Sequence, residues 1–178
     1  EGVRVYLWKI TEPESRLSGD VVLTPNCQAR LQGMKSELHR RGFLSIRHLL
    51  ARAGYTDADL YYDDIGKPHL KDGTQISITH SFEFTGIILS DRIQVGIDIE
   101  KQREKILRIA HRFTPPEEYR TMVNDAALIQ KLTMVWGAKE SVYKIMGMPG
   151  LSFLKHIRVS DFDTGQGQAT ARALFKGI

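Results

Sequence analysis

The sequence predicts an α+β protein, and three observations carry that prediction. Strand-like runs open the chain, a proline-free helical stretch follows, and further strands, helices and a last pair of strands come in segregated runs. Segregated runs, unlike strict β-α alternation, argue against a single parallel sheet. Each half, residues 1–100 and 101–178, offers one long helix and a small, mainly antiparallel sheet, fused as one compact unit.

Composition narrows the class. The 178 residues are 42% hydrophobic, ordinary for a globular chain that can bury a core. No apolar run reaches membrane-spanning length and no signal-peptide pattern opens the chain, so the expected setting is cytoplasmic, with no membrane partner. The single cysteine, Cys27, excludes an internal disulfide and reads as a small buried hydrophobe. A net charge of +4 points to an acidic partner or a phosphorylated ligand. No Lys/Arg block interleaved with aromatics supports nucleic acid.

Val3 to Ile10 is β-branched and aromatic, which predicts a first strand ended near Pro13. From Cys27 to Ala53, Leu31, Met34, Leu38, Phe43, Ile46, Leu49 and Leu50 recur at helical spacing, with Gly42 as an interruption. The polar face carries Arg30, Lys35, Arg40, Arg41, Arg47 and Arg52 against Glu37. Such a face holds a phosphate or an acidic protein, or is simply solvated.

Tyr55 to Asp64 reads as a connection, and Gly66-Lys67-Pro68-His69-Leu70 as a loop that presents Lys67. Ile76 to Ser81 alternates as a strand and delivers Thr79, His80 and Ser81 at its end, where they are hydrogen-bond donors suited to phosphate oxygens; a lone histidine there can equally be structural. Thr85–Leu89 and Ile93–Glu100 read as a hairpin around Ser90-Asp91-Arg92. In that strand Asp98 and Glu100 share a face, as a solvated pair or as metal ligands, and Gly96 admits close backbone approach.

The second half begins with a helical run from Glu104 to Phe113, stopped by Pro115 and Pro116, with a short capped helix after it. Ala126 to Met146 is a long amphipathic helix ended by Gly147, Pro149 and Gly150. Glu140 and Lys144 lie one turn apart on it, an order that by itself gives a surface pair worth about 0.3 to 0.5 kcal/mol. Ile157–Phe162 and Ala169–Phe175 read as two strands around a turn at 163–167.

VGIDIE, residues 95–100, followed by the W-x-x-K-E-S-x-x-K block of residues 136–144, resembles the signature pair of the 4′-phosphopantetheinyl transferases. GKPHL, ISITHS and RFTPPEEY, at 66–70, 76–81 and 112–119, sit where the Sfp-type branch has its other motifs. That branch consists of pseudo-dimers of two similar α/β halves, so the resemblance implies a pseudo-two-fold arrangement and a monomer. It also implies transfer of the phosphopantetheine arm of coenzyme A to a serine of an acidic acyl or peptidyl carrier protein. Carried over residue by residue, Asp98, Glu100 and Glu140 would hold Mg²⁺, and Glu140 would take the serine proton. Lys144 would stabilise the pyrophosphate charge. Lys67, Thr79 and His80 would bind coenzyme A phosphates, with Arg40, Arg41 or Arg47 reaching the 3′-phosphate. Lys139 belongs to the motif without an assigned contact. The branch departs from this chain at Gly137, where a small polar residue is common, and leads one to expect a further strand beyond Ile178. A degenerate relative that binds coenzyme A or a carrier without transfer is the alternative.

Overall fold

The computed structural model describes residues 2–119 and 124–177. The chain divides into two compact units, Glu1–Ile99 and Glu100–Ile178, both mixing helices with small antiparallel sheets.

In the first unit, β1 (Val3–Lys9) is followed by α1 (Glu14–Gly19), α2 (Pro25–Gly33), α3 (Glu37–Arg52), β2 (Leu60–Tyr62), β3 (Pro68–Leu70), β4 (Gln75–Ser81) and β5 (Phe84–Ser90). The main sheet has the order β1-β5-β4, antiparallel throughout, with Val5 and Ser77 both opposite Ile88. β2 and β3 form a separate two-stranded ribbon.

Helix α3 forms because its ends and one face agree. Ser36 caps it, accepting from His39 N at 3.4 Å, with Glu37 in the first turn and Arg52 in the last. Its apolar positions Ile46, Leu49 and Leu50 pack on Leu70, Ile76, Ile87 and Leu89. Leu50 is fully buried, so truncating it to alanine would cost about 2–5 kcal/mol. Ser45 Oγ lies 2.9 Å from Thr85 Oγ1, tying the helix to β5 through a buried polar pair.

The expected single helix over 27–53 is in fact two. The break falls at 34–36, where Met34 and Ser36 take extended backbone, while Gly42 lies inside an unbroken α3. Thr24 and Pro25 begin α2, with Thr24 Oγ1 accepting from Cys27 N. Cys27 is a half-buried free thiol.

The expected hairpin is also displaced. β5 turns back on β4 through Phe82 and Glu83, with Phe82 in the left-handed region at φ 51°. Residues 94–100 do not join the sheet as a strand. Instead Ile97 N donates to Ser77 Oγ (3.2 Å) and Ile99 N to Thr79 Oγ1 (3.0 Å), so side chains of β4 replace the main-chain ladder.

The second unit contains α4 (Lys105–Ile109), 3₁₀ turns at Ala110–Arg112 and Pro116–Glu118, α5 (Asp125–Met146), α6 (Phe153–His156), β6 (Ile157–Val159) and β7 (Ala171–Ala173). Asn124 caps α5 through Ala127 N at 2.9 Å, and Gly147 ends it in the left-handed region at φ 58°, where a Cβ would be strained. Leu132 and Val135 of α5 bury against Ala110, Phe113 and Val159, with Trp136 and Phe153 closing the cluster. The final strands pair as expected but are three residues each, and α6 was not legible as a helix. Among the described residues no helix is long and apolar enough to cross a membrane.

Candidate active site

Within the first unit, the end of β4 builds two features. Thr79 is buried, 3% exposed, and its hydroxyl accepts from Ile99 N. With Ser77 on Ile97 N, this fixes the main chain on both sides of Asp98. Thr79 Oγ1, expected as a donor to phosphate, thus also braces the acidic segment as an acceptor. Asp98 Oδ2 is enclosed.

His80, the next residue, remains open to solvent along part of its side chain while its ring lies on α3 at Gly42. His39 meets it edge-on, with ring centroids 6.0 Å apart. Burial against the helix, then the neighbouring His39, pushes the His80 imidazole below its ordinary range.

The loop that carries Lys67 is knotted by Asp63. Its Oδ1 accepts from Ile65 N (3.1 Å) and Lys67 N (2.8 Å), and Oδ2 lies 2.9 Å from His69 Nε2. The His69 hydrogen bond, opposed by partial burial and aided by the two amides, holds the Asp63 carboxyl below the usual range. His69 in turn stacks on Tyr61 at 5.3 Å. GKPHL is thus half loop and half strand: β2 and β3 anchor it, and the turn holds Lys67.

The three candidate arginines differ. Arg40 Nε is paired with Glu14 at 2.8 Å, and its Nη1 donates to Met34 O. Arg47 is a core residue: Nε meets Asp57 at 2.9 Å, Nη1 donates to Phe43 O, Nη2 to Cys27 Sγ, and the guanidinium lies 3.5 Å from the Phe43 ring centroid. Its expected contact with a 3′-phosphate gives way to this pair, because its fork is filled by protein and shielded from solvent. Burial pushes the Asp57 carboxyl upward, but hydrogen bonds from Thr24 N, Arg47 and Thr24 Oγ1 outweigh it and hold the group below the usual range. Arg41 donates to Ile10 O at 3.2 Å through Nη2, and its buried Nε makes no hydrogen bond among the described residues. An unsatisfied buried donor costs about 1–3 kcal/mol, so Arg41 is the arginine with capacity to gain from an anion.

In the second unit, α5 carries Glu140 and Lys144, both half-buried and one turn apart. The residue before Glu140, Lys139, is fully buried. Its ammonium donates to Phe113 O and Ile157 O (2.8 Å each) and Phe153 O (3.2 Å), and it meets Glu118 Oε2 at 2.8 Å. Thr114 Oγ1 donates to the same carboxylate at 2.7 Å. Burial pulls the Lys139 ammonium below its ordinary range despite the opposing pull of Glu118. One lysine thereby locks α5 to the 3₁₀ turns, α6 and β6, which fixes the helix's rotation and so the direction of Glu140.

Glu100 borders a groove of about 160 Å³ with Trp136 and Ile106 as apolar wall and Lys101, Arg103 and Lys105 as basic members. Among the described residues no group of three or more His, Cys, Asp or Glu side chains is gathered as a metal cluster. Carboxylates of the kind that Asp98, Glu100 and Glu140 each carry are the donors taken by Mg²⁺, a hard cation that binds oxygen ligands and keeps several waters.

Two residues that matter here were not assigned from sequence. Glu118 sits inside RFTPPEEY and Lys139 inside the WGAKESVYK block, and their pairing joins two motifs read separately. Membership of those motifs, and for Lys139 adjacency to Glu140, was the sequence signal. No curated protein matches the chain. Residues 94–177 match the family model described as 4′-phosphopantetheinyl transferase superfamily, a span that contains Asp98, Glu100, Lys139, Glu140 and Lys144.

Proposed function

We propose that this protein transfers the 4′-phosphopantetheine arm of coenzyme A to a serine hydroxyl of an apo carrier protein, as an Sfp-type member of that superfamily. The observation that carries the reading is the family match over 94–177, whose span holds both acidic blocks, with Glu140 and Lys144 on a helix fixed by Lys139.

The serine oxygen forms a bond to the phosphorus that bears pantetheine, the bridging P–O bond of the pyrophosphate breaks, and adenosine 3′,5′-bisphosphate leaves. Serine is a weak nucleophile at neutral pH, so a base must take its proton; Glu140, directly or through a water, has that role. Lys144 offsets charge on the pyrophosphate and leaving group. His80, Lys67 and Arg41 bind the phosphates, and Arg40 would have to leave Glu14 to join them. Asp98, Glu100 and Glu140 are the proposed Mg²⁺ ligands; the ion, when bound, neutralises pyrophosphate charge and aligns it for in-line displacement. Thr79 and Ser77 act indirectly, by holding the chain around Asp98. The net positive charge suits an acidic carrier.

Mass spectrometry of apo carrier proteins incubated with coenzyme A, Mg²⁺ and the protein tests the reading. A gain of one phosphopantetheine supports it. Coenzyme A binding with unmodified acyl, peptidyl and aryl carriers would instead leave a binding protein without transfer.

A further inference from the structure

We infer that Gly42 is a positioning residue for His80: the hydrogen in place of a side chain on α3 is the seat in which the imidazole lies. A Cβ built at Gly42 would stand 2.5 Å from both Cδ2 and Nε2 of His80, closer than any real contact. Gly42 is buried and mid-helix, where glycine is the poorest helix former after proline. Its backbone gives no reason for it, since it is absent from the left-handed glycines. Gly19 and Gly33, at helix ends, have nothing within 4 Å of a built Cβ, so close approach is particular to Gly42 among these helical glycines.

The seat is held in register by hydrogen bonds. Gly42 O accepts from Ser45 Oγ at 2.8 Å, Ser45 Oγ lies 2.9 Å from Thr85 Oγ1, and Thr85 is the residue opposite His80 in the β4–β5 pairing. The strand carrying His80 is thus tied to the helix turn that receives it. His39, three residues before Gly42 on the same helix, adds the edge-on wall. An imidazole confined in this way meets a phosphate without first losing rotamer freedom, which is how preorganisation raises affinity. This inference rests on the proposed role of His80 as a phosphate ligand.

Calorimetric titration of coenzyme A into wild type, Gly42→Ala, His80→Ala and the double variant tests it. Gly42→Ala and His80→Ala should each weaken binding by roughly tenfold, and the double variant should bind no more weakly than His80→Ala alone. Thermal melting should move oppositely in the two backgrounds. Alanine at 42 should raise Tm by roughly 2 to 4 °C when His80 is absent and fail to raise it when His80 is present. By NMR, the His80 ring should titrate nearer its ordinary range in Gly42→Ala.

Wild-type affinity in Gly42→Ala, with His80→Ala impaired, would overturn the inference and leave the phosphate role of His80 standing. Wild-type affinity in His80→Ala would remove that role and the positioning claim with it. If Gly42→Ala does not fold, recovery of folding in the double variant supports the seat, and failure of both variants overturns it.

Discussion

Each long helix buries a cation paired with an acid, Arg47 on α3 and, beside the equally buried Lys131, Lys139 on α5, and Arg47 and Lys139 do different things. Arg47 of α3 is closed inside the first unit by Asp57, Phe43 and Cys27. Lys139 of α5 gathers Glu118 and three carbonyls from separate parts of the second unit and stands next to Glu140. Sequence reading ranked them the other way: Arg47 stood among the candidate phosphate ligands, and Lys139 had no contact. The difference teaches that a basic side chain on a helix takes its role from where its acid lies. Asp57 follows ten residues after Arg47, in the stretch that reads as a connection, and Glu118 precedes Lys139 inside another motif.

Replacing Lys139 with methionine should have the largest effect. It strands the Glu118 carboxylate in the core and frees three carbonyls, costing about 3–5 kcal/mol by urea denaturation. Adding Glu118→Leu should recover part of that loss. If Lys139→Met melted like wild type, the locking role of this lysine would be wrong.

Arg47→Met should cost about 3 kcal/mol for the same reason but leave coenzyme A affinity unchanged. A large loss of affinity at constant fold would restore Arg47 to the binding site. The pair also sets an acid limit. Because the Asp57 carboxyl is held below its ordinary value, its stabilisation is present above the unfolded pKa of about 3.9 and disappears as pH falls through the lower folded value. Acid titration followed by circular dichroism should therefore separate wild type from Arg47→Met.

The smallest effect on stability is expected at Thr79. Thr79→Val keeps the shape and removes the acceptor for Ile99 N, at a cost of about 1–2 kcal/mol. Transfer should fall by more than the loss of folded protein explains, because the chain around Asp98 loosens. Equal losses in stability and transfer would make Thr79 a packing residue only.

Much of the fold was legible where one period ran long enough. Helix α5 has its apolar face and glycine stop in sequence, and the structure places both as expected, with Asn124 as a cap that the sequence reading did not assign. The α2–α3 break was visible in principle at Ser36, a helix cap, but Gly42 drew the interruption to itself; only the ring of His80 explains why a glycine stands there. Residues 94–100 alternate like a strand because one side faces β4, yet their amides at 97 and 99 bond to Ser77 and Thr79 hydroxyls. Alternation reports sidedness and cannot distinguish a ladder from such a strap. The β4–β5 turn was hidden because Phe82, neither glycine nor asparagine, takes the positive φ. Strands β2 and β3 are three residues each, too short for any pattern. Of the candidate site, the residue types were legible in the motifs, while the supports were not: Glu118 and Gly42 act through contacts with other parts of their units, and Asp63 through hydrogen bonds inside a loop that no periodicity marks.

The most direct measurement is release of adenosine 3′,5′-bisphosphate from coenzyme A in the presence of apo carrier protein and Mg²⁺, comparing wild type with Glu140→Gln. The account requires release by the wild type, one molecule for each carrier modified, and loss of release in Glu140→Gln with coenzyme A binding retained. Undiminished release by Glu140→Gln would contradict the assignment of the base, and no release by the wild type with any carrier would contradict the transferase.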